Sequence, residues 1–175
     1  AVIPSILKGK NVPCLIPLAI DQDPHFRVAR DVYPKLGYLK PALIHGVFLP
    51  SLSGVGGKMS SSEENTAIFT TDSPQEVEYK IKKHAFSGGR TTLEEHRKLG
   101  GRPEVDVSYQ YLRMMFEPND KKLKKIHDDY KSGKLLTGEL KEILIEKINS
   151  FLKQHQKARE SARKIQDAGY FNLDI

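Results

Sequence analysis

Tryptophan is absent from the 175-residue chain, and there is a single cysteine. The missing indole leaves tyrosine as the intrinsic emitter, so an added fluorescent ligand can be followed cleanly. The lone Cys14 cannot close an internal disulfide, which points to a reducing, intracellular setting. It lies in an apolar run and is expected to be a buried thiol. No apolar stretch approaches the length needed to cross a bilayer. The opening Ala1-Val2-Ile3-Pro4-Ser5-Ile6-Leu7 is too short and too broken by proline for a signal peptide. Internal repeats and low-complexity tracts are also missing. These absences argue against a membrane protein and against a secreted disulfide scaffold.

What is present is charge, unevenly placed. The chain holds 28 Lys+Arg against 22 Asp+Glu, a formal net charge of +6. Residues 1–75 carry +1 and residues 76–175 carry +5. A weakly basic second half suits contact with a phosphate backbone, and equally suits an ordinary solvated helical surface. The length allows one domain or two small ones with a real core.

The two halves differ in pattern. Cys14 to Ile20 is a short, nearly continuous apolar run, as expected of a strand buried on both faces of a parallel sheet. Asp21-Gln22-Asp23-Pro24 ends it, with Asp23 suited to an N-cap and Pro24 to the first helical position. A helix is expected to about Leu36, closed by Gly37, and a second apolar run follows from Leu43 to Leu49. Strand, helix, strand is one βαβ unit. A two-stranded parallel sheet leaves its faces and edges uncovered, so the chain reads as beginning part-way through a larger fold. After Ile68-Phe69-Thr70 the pattern becomes helical. Ser73-Pro74-Gln75-Glu76 is a capping box that opens a helix to about Phe86, and Ser87-Gly88-Gly89-Arg90 breaks it. Thr92 and Glu95 suit the cap of a short helix ended by Gly100-Gly101. Val105, Tyr109, Leu112 and Phe116 mark a third, Leu123, Ile126 and Tyr130 a fourth, and a long pattern from Thr137 a fifth. These stripes have the spacing of ordinary helix core. The expected fold is α/β followed by an all-α bundle of about five helices, with a boundary between residues 1–72 and 73–175.

Between the halves lies Pro50-Ser51-Leu52-Ser53-Gly54-Val55-Gly56-Gly57, then Lys58-Met59-Ser60-Ser61-Ser62. Small residues and glycines allow close backbone approach to a ligand. A lysine and three hydroxyls at the end of such a loop suit a polyphosphate, whose charge they would hold in a transition state. A solvated, serine-rich surface loop has the same composition, and the segment alone does not separate the two.

Two segments together carry a resemblance. Ala19-Ile20-Asp21-Gln22 stands at the expected carboxyl end of a parallel strand, where α/β sheets bind ligands. Lys58-Met59-Ser60-Ser61-Ser62 follows the end of the next strand. The pairing resembles the second half of the catalytic domain of class I aminoacyl-tRNA synthetases of the tyrosyl/tryptophanyl subclass. Lys83-His84-Ala85-Phe86-Ser87-Gly88-Gly89-Arg90, Glu94-Glu95-His96-Arg97, Gly100-Gly101, Val105-Asp106-Val107-Ser108 and Leu136-Thr137-Gly138-Glu139-Leu140-Lys141 look like the eukaryotic-type tryptophanyl branch. The tyrosyl branch shares the lysine loop but not the Ala-Phe-Ser-Gly-Gly-Arg block. The resemblance runs from about Pro13 to Arg159.

The resemblance implies the C-terminal portion of a tryptophan–tRNA ligase: the second half of a Rossmann-like catalytic domain over residues 1–72, then an α-helical anticodon-binding domain over 73–175. Its substrates would be MgATP (ATP with Mg2+), L-tryptophan and tRNA(Trp). Lys58 and Ser61 would be catalytic, and Lys58, Met59, Ser60, Ser61, Ser62 and Asp21 would bind ATP, with Asp21 on the ribose. The common family form has a second lysine where Ser61 stands, so backbone N–H groups or Mg2+ would supply that missing charge here. Gln22 would line the amino-acid pocket. Arg90 and Thr91 stand where the family reads anticodon bases, although the family more often has an acidic residue at the position of Thr91. Arg90 alternatively contacts backbone phosphate or caps a helix C-terminus. Asp21 to Pro24 alternatively form only a helix cap. His84, His96 and Arg97 carry no metal or catalytic signal, and no resident metal is expected. The six histidines lack the signature that grips ATP in the first half of the fold, so the chain alone is expected to be inactive. A homodimer through the rest of the catalytic domain, a cytoplasmic location and no membrane contact complete these expectations. The alternatives are a tyrosyl-tRNA synthetase of the same subclass, a non-catalytic RNA-binding or signalling fragment and a generic nucleotidyl transferase.

Overall fold

The computed structural model describes residues 1–54 and 64–167. The chain divides into two compact units, Ala1–Phe48 and Leu49–Ile175.

The first unit is the expected βαβ. A short helix α1 (Ile3–Lys8), not anticipated from the sequence, is closed by Gly9. Strand β1 (Leu15–Ala19) passes through a 3-10 turn, Ile20–Gln22, into α2 (Asp23–Val32). Pro34 cannot donate to an α ladder, and the helix ends as a 3-10 turn over Tyr33–Leu36, closed by Gly37. Strand β2 (Ala42–Gly46) then pairs with β1 in parallel, from Leu15 opposite Ala42 to Ala19 opposite Gly46. One expectation fails. The strands are not buried on both faces: Leu15 is 58% exposed and Ile44 53%. The sheet has two strands among the described residues, so its apolar side chains have little to pack against. Cys14 is half-buried for the same reason.

The second unit holds the helices: α3 (Pro74–His84), α4 (Leu93–Leu99), α5 (Val107–Tyr111), α6 (Asp120–Lys131) and α7 (Thr137–Asp167). The capping boxes expected at Ser73/Glu76 and Thr92/Glu95 are both formed. The third helix is shorter than its apolar stripe suggests. After Tyr111 the backbone widens into a π turn, Leu112–Phe116, where the Glu117 N–H reaches back to the Leu112 carbonyl at 2.8 Å. The core is built from Val77 and Ile81 of α3, Val107 of α5, Leu112, Tyr130 of α6, and Leu140, Leu144 and Ile148 of α7. The boundary between compact units falls at Phe48/Leu49. Residues after β2 belong with the helices because they bond to them. The Phe86 N–H donates to the Leu52 carbonyl at 2.7 Å, and the Tyr111 hydroxyl to the Pro50 carbonyl at 2.7 Å.

One carboxylate organises this unit. Asp106 is fully buried and caps α5. Its Oδ1 accepts from the backbone N–H of Ser108 at 2.9 Å and Tyr109 at 3.3 Å. Its Oδ2 accepts from the Gly88 N–H at 2.8 Å and the Tyr130 hydroxyl at 2.7 Å. Burial, then the Asp106 charge, pushes the Tyr130 hydroxyl well above its usual range, so it stays a donor at any physiological pH. Replacing Asp106 by alanine removes a cap, leaves three backbone N–H groups without this acceptor and leaves the Tyr130 hydroxyl with Thr137 alone. At 1–3 kcal/mol for each buried orphan, the loss should reach at least about 3 kcal/mol. Asp106→Asn, which keeps one acceptor oxygen, should lose less. Denaturant unfolding followed by circular dichroism checks this, and an unchanged midpoint for Asp106→Ala would contradict it.

Candidate functional site

The carboxyl ends of β1 and β2 carry the first group of candidate residues. The 3-10 turn after Ala19 holds Asp21, half-buried, and Gln22, exposed, side by side. Asp23 does not cap α2 as expected. The cap position falls on Gln22, whose side chain makes no capping bond, and Asp23 is the first helical residue with Pro24 after it. The Asp23 carboxylate turns instead to two side-chain donors, Arg27 and His45. Its Oδ2 accepts from Arg27 Nε at 2.5 Å, and its Oδ1 pairs with His45 Nε2 at 2.9 Å. The Arg27 bond, then that of His45, holds the carboxyl below its usual range against the opposing effect of partial burial. His45 lies near the end of β2, opposite Leu18. Nothing in the sequence drew attention to it, since the contact spans 22 positions and no local pattern records it.

Lys58, Met59, Ser60, Ser61 and Ser62 lie outside the described residues. The nearest described stretches, up to residue 54 and from residue 64, are bonded to each other. Ser51 and Leu52 are fully buried, and the Leu52 N–H donates to the Thr66 carbonyl at 2.9 Å. Ser51 and Ser53 share a hydroxyl–hydroxyl bond of 2.5 Å. An apolar cavity of about 120 Å3 lies within this unit, bordered by Leu49, Ile68, Tyr111, Phe116 and Phe151. It is lined by none of the described candidate site residues.

The second described group follows α3. Gly88 and Gly89 run close under the rest of the unit, and a Cβ on Gly88 would collide with the Arg102 carbonyl. Arg90 comes next, exposed, with its Nε donating to the Gly100 carbonyl at 2.9 Å. That carbonyl ends α4, so one nitrogen of Arg90 caps a helix C-terminus, one of the roles considered for it. Thr91 is exposed beside it, just ahead of the α4 cap Thr92. His96 is buried, its ring 5.2 Å from that of Tyr130 and its Nε2 3.0 Å from the Leu135 carbonyl. Arg97 donates to the carbonyls of Gly133 and Lys134, holding the turn between α6 and α7. His84 packs edge-on against Tyr79, with Nε2 buried and unpartnered. Among the described residues no cluster of His, Cys, Asp or Glu is arranged to hold a metal ion. No helix among them is long and apolar enough to cross a membrane.

The structure therefore brings Asp21 together with Gln22, and Arg90 together with Thr91. Comparison with known proteins bears on what they serve. A family profile described as tRNA synthetases class I (W and Y) matches residues 7–153. The chain belongs to the class I tRNA synthetases of the W and Y type. Among curated relatives of this synthetase family, the tryptophan–tRNA ligase of Sulfurisphaera tokodaii is 60% identical over 152 residues, covering 87% of this chain and 40% of the relative. The human cytoplasmic tryptophan–tRNA ligase is 51% identical over 158 residues, covering 90% of this chain and 33% of the relative. A solved tryptophanyl-tRNA synthetase from Giardia lamblia aligns with a TM-score of 0.79 at 50% identity, covering 84% of this chain and 36% of that one. The chain thus spans about two fifths or less of the length of these synthetases. An archaeon and an animal both appear among them.

The Asp23 pairs give a pH expectation with a definite sign. A carboxyl held below its ordinary value of about 3.9 adds stability above that pH, and the contribution fades as pH falls through the lowered value. Stability owed to Asp23 should be constant from neutral pH to about pH 5 and fall below about pH 4. Carboxyl-carbon NMR of Asp23 reads this directly. Arg27→Ala should move the titration back up toward the ordinary carboxylate range, and an unmoved titration would mean that Arg27 is not the main cause.

Proposed function

We propose that the protein of which this chain is part is a tryptophan–tRNA ligase of the eukaryotic type. It would join ATP and tryptophan into tryptophanyl-adenylate with release of pyrophosphate, then pass the aminoacyl group to the 3′ end of tRNA(Trp) with release of AMP. The observation that carries the reading is the 60% identity, over most of this chain, to a protein named tryptophan–tRNA ligase. The uncovered apolar side chains of β1 and β2 support a sheet completed by further strands of the same protein. In this reading residues 1–72 close the Rossmann-like catalytic domain, residues 73–175 form the anticodon-binding bundle, and the chain is the C-terminal portion. The protein works in the cytoplasm, as the human relative is named, and as a homodimer.

Each candidate residue then has a role that its chemistry permits. Lys58 steadies the pyrophosphate oxygens while the tryptophan carboxylate attacks the α-phosphorus, a contribution of charge and position with no covalent enzyme intermediate. Met59, Ser60, Ser61 and Ser62 add backbone and hydroxyl donors, and the Mg2+ that arrives with ATP shares the charge. Asp21 accepts from the ribose hydroxyls and Gln22 lines the amino-acid pocket. Arg90 presents the exposed part of its guanidinium, and Thr91 its hydroxyl, to the tRNA anticodon.

Tryptophan-dependent exchange of pyrophosphate into ATP by the full-length protein tests the assignment. Exchange that depends on tyrosine, or none at all, would overturn it. Lys58→Ala should lower the rate of adenylate formation by about 10²–10³-fold with little change in tryptophan affinity, the usual range for one lost transition-state donor. A near-normal kcat would remove Lys58 from the mechanism. Arg90→Ala should raise KM for tRNA while leaving exchange without tRNA intact. An arginine that reads a base contributes about 1–3 kcal/mol of discrimination, whereas one on phosphate weakens every tRNA alike. Comparing native with anticodon-changed tRNA separates the two. Unchanged kinetics with both tRNAs would leave Arg90 with its helix-capping bond alone.

A further inference from the structure

The Asp23 carboxylate spends its two oxygens in different ways. Oδ2 goes to Arg27, four residues along the same helix, a contact that any isolated helix can make. Oδ1 goes to His45, on another element, at the carboxyl end of β2. Asp23 directly follows Asp21 and Gln22, and the cap position of α2 has no side-chain bond of its own. The 3-10 turn that carries both candidate ligands is therefore held by β1 on one side and by Asp23 on the other. Strand register puts His45 opposite Leu18, one step before the last pair of the sheet, Ala19 with Gly46. The bond thus ties the end of one strand to the chain leaving the end of the other.

Its exposure decides what such a tie is for. The Asp23 side chain is 14% exposed and that of His45 37%. With its histidine end this open to water, the contact adds only modestly to global stability. What it supplies is geometry at the edge where parallel sheets receive ligands. We infer that His45 is a positioning residue, which through its bond to Asp23 fixes the turn that presents Asp21 and Gln22 to substrate. The inference rests on the functional reading above for the identity of that substrate. The placement of the turn by His45 does not depend on it.

The experiment uses the full-length protein in two variants, with two readouts. His45→Ala should raise KM for ATP and for tryptophan by about 10-fold each while lowering kcat less than threefold, as expected for misplaced binding groups. Glutamine keeps a side-chain N–H able to reach Asp23, so His45→Gln should restore most of the loss. Hydrogen exchange at the amides of residues 20–23 should quicken in His45→Ala and return toward normal in His45→Gln, with the melting temperature unmoved in both. Unchanged exchange and unchanged KM in His45→Ala would overturn the inference. Equal damage by alanine and glutamine would also overturn it, since the ring would then be acting on substrate directly. If the unaltered protein lacks tryptophan-dependent activity, the functional reading fails, and hydrogen exchange still decides the role of His45.

Discussion

Burying the Asp106 carboxylate is the constraint on which the helical unit depends. A charge taken out of water is costly, and it is tolerated only where hydrogen bonds replace its hydration. Asp106 meets that condition with four donors drawn from three places in the chain: the segment after α3, the first turn of α5 and the middle of the unit at Tyr130. The Tyr130 hydroxyl also lies 3.2 Å from Thr137 at the start of α7, which extends the network to the longest helix. The bond from Gly88 accompanies a backbone approach that a side chain would prevent. Gly88 lies so near the Arg102 carbonyl that no Cβ fits, and Gly100, at φ 69°, lies equally close to the Lys131 carbonyl. The glycine-rich block that carries the family resemblance is thus, in the first place, a close-packing motif around a buried charge.

The sheet unit obeys a different constraint. Its strand pairing and its helix are regular, yet Leu15, Ile20, Val28, Leu36 and Ile44 remain widely exposed. A sheet gains stability from packed faces, and two parallel strands do not supply them. The local geometry at the strand ends nevertheless forms, since it rests on bonds internal to the unit: the 3-10 turn, the Asp23 pair with Arg27 and the longer tie to His45.

Much of this was legible in the sequence, for definable reasons. The apolar runs of the two strands, α2 with its Gly37 stop, and the two capping boxes leave patterns within a few residues, and patterns at that range survive in one dimension. What escaped depends on partners far away in the chain. Nothing near residue 50 says that its carbonyl will meet the Tyr111 hydroxyl 61 positions later, so a compact unit that begins at Leu49 has no local signal. The π turn after Tyr111 breaks an apolar stripe that periodicity alone extends. Asp23 was expected to cap because its neighbours suit a cap, whereas an available arginine and histidine drew its carboxylate elsewhere. His96 shows the same effect in the other direction: an unremarkable histidine by sequence, it is core, enclosed between Tyr130 and the Leu135 carbonyl. For the candidate residues, the way each described side chain is held was not readable from the sequence.

Orientation is where the two constraints meet function. Arg90 is two residues beyond Gly88, and its backbone direction is inherited from the bond that Gly88 makes to Asp106 and from its own bond to the Gly100 carbonyl. A long, flexible side chain loses up to about 2 kcal/mol of rotamer entropy when it is immobilised. For a group that must read a partner, ordering it in advance removes part of that cost from binding. Anchoring Nε at a helix end does this while leaving the guanidinium exposed. At the other group the tie falls on the neighbour: Asp23, next to Asp21 and Gln22, is held by Arg27 and His45. In both places a hydrogen bond at or beside the candidate residue fixes the direction in which the backbone presents it.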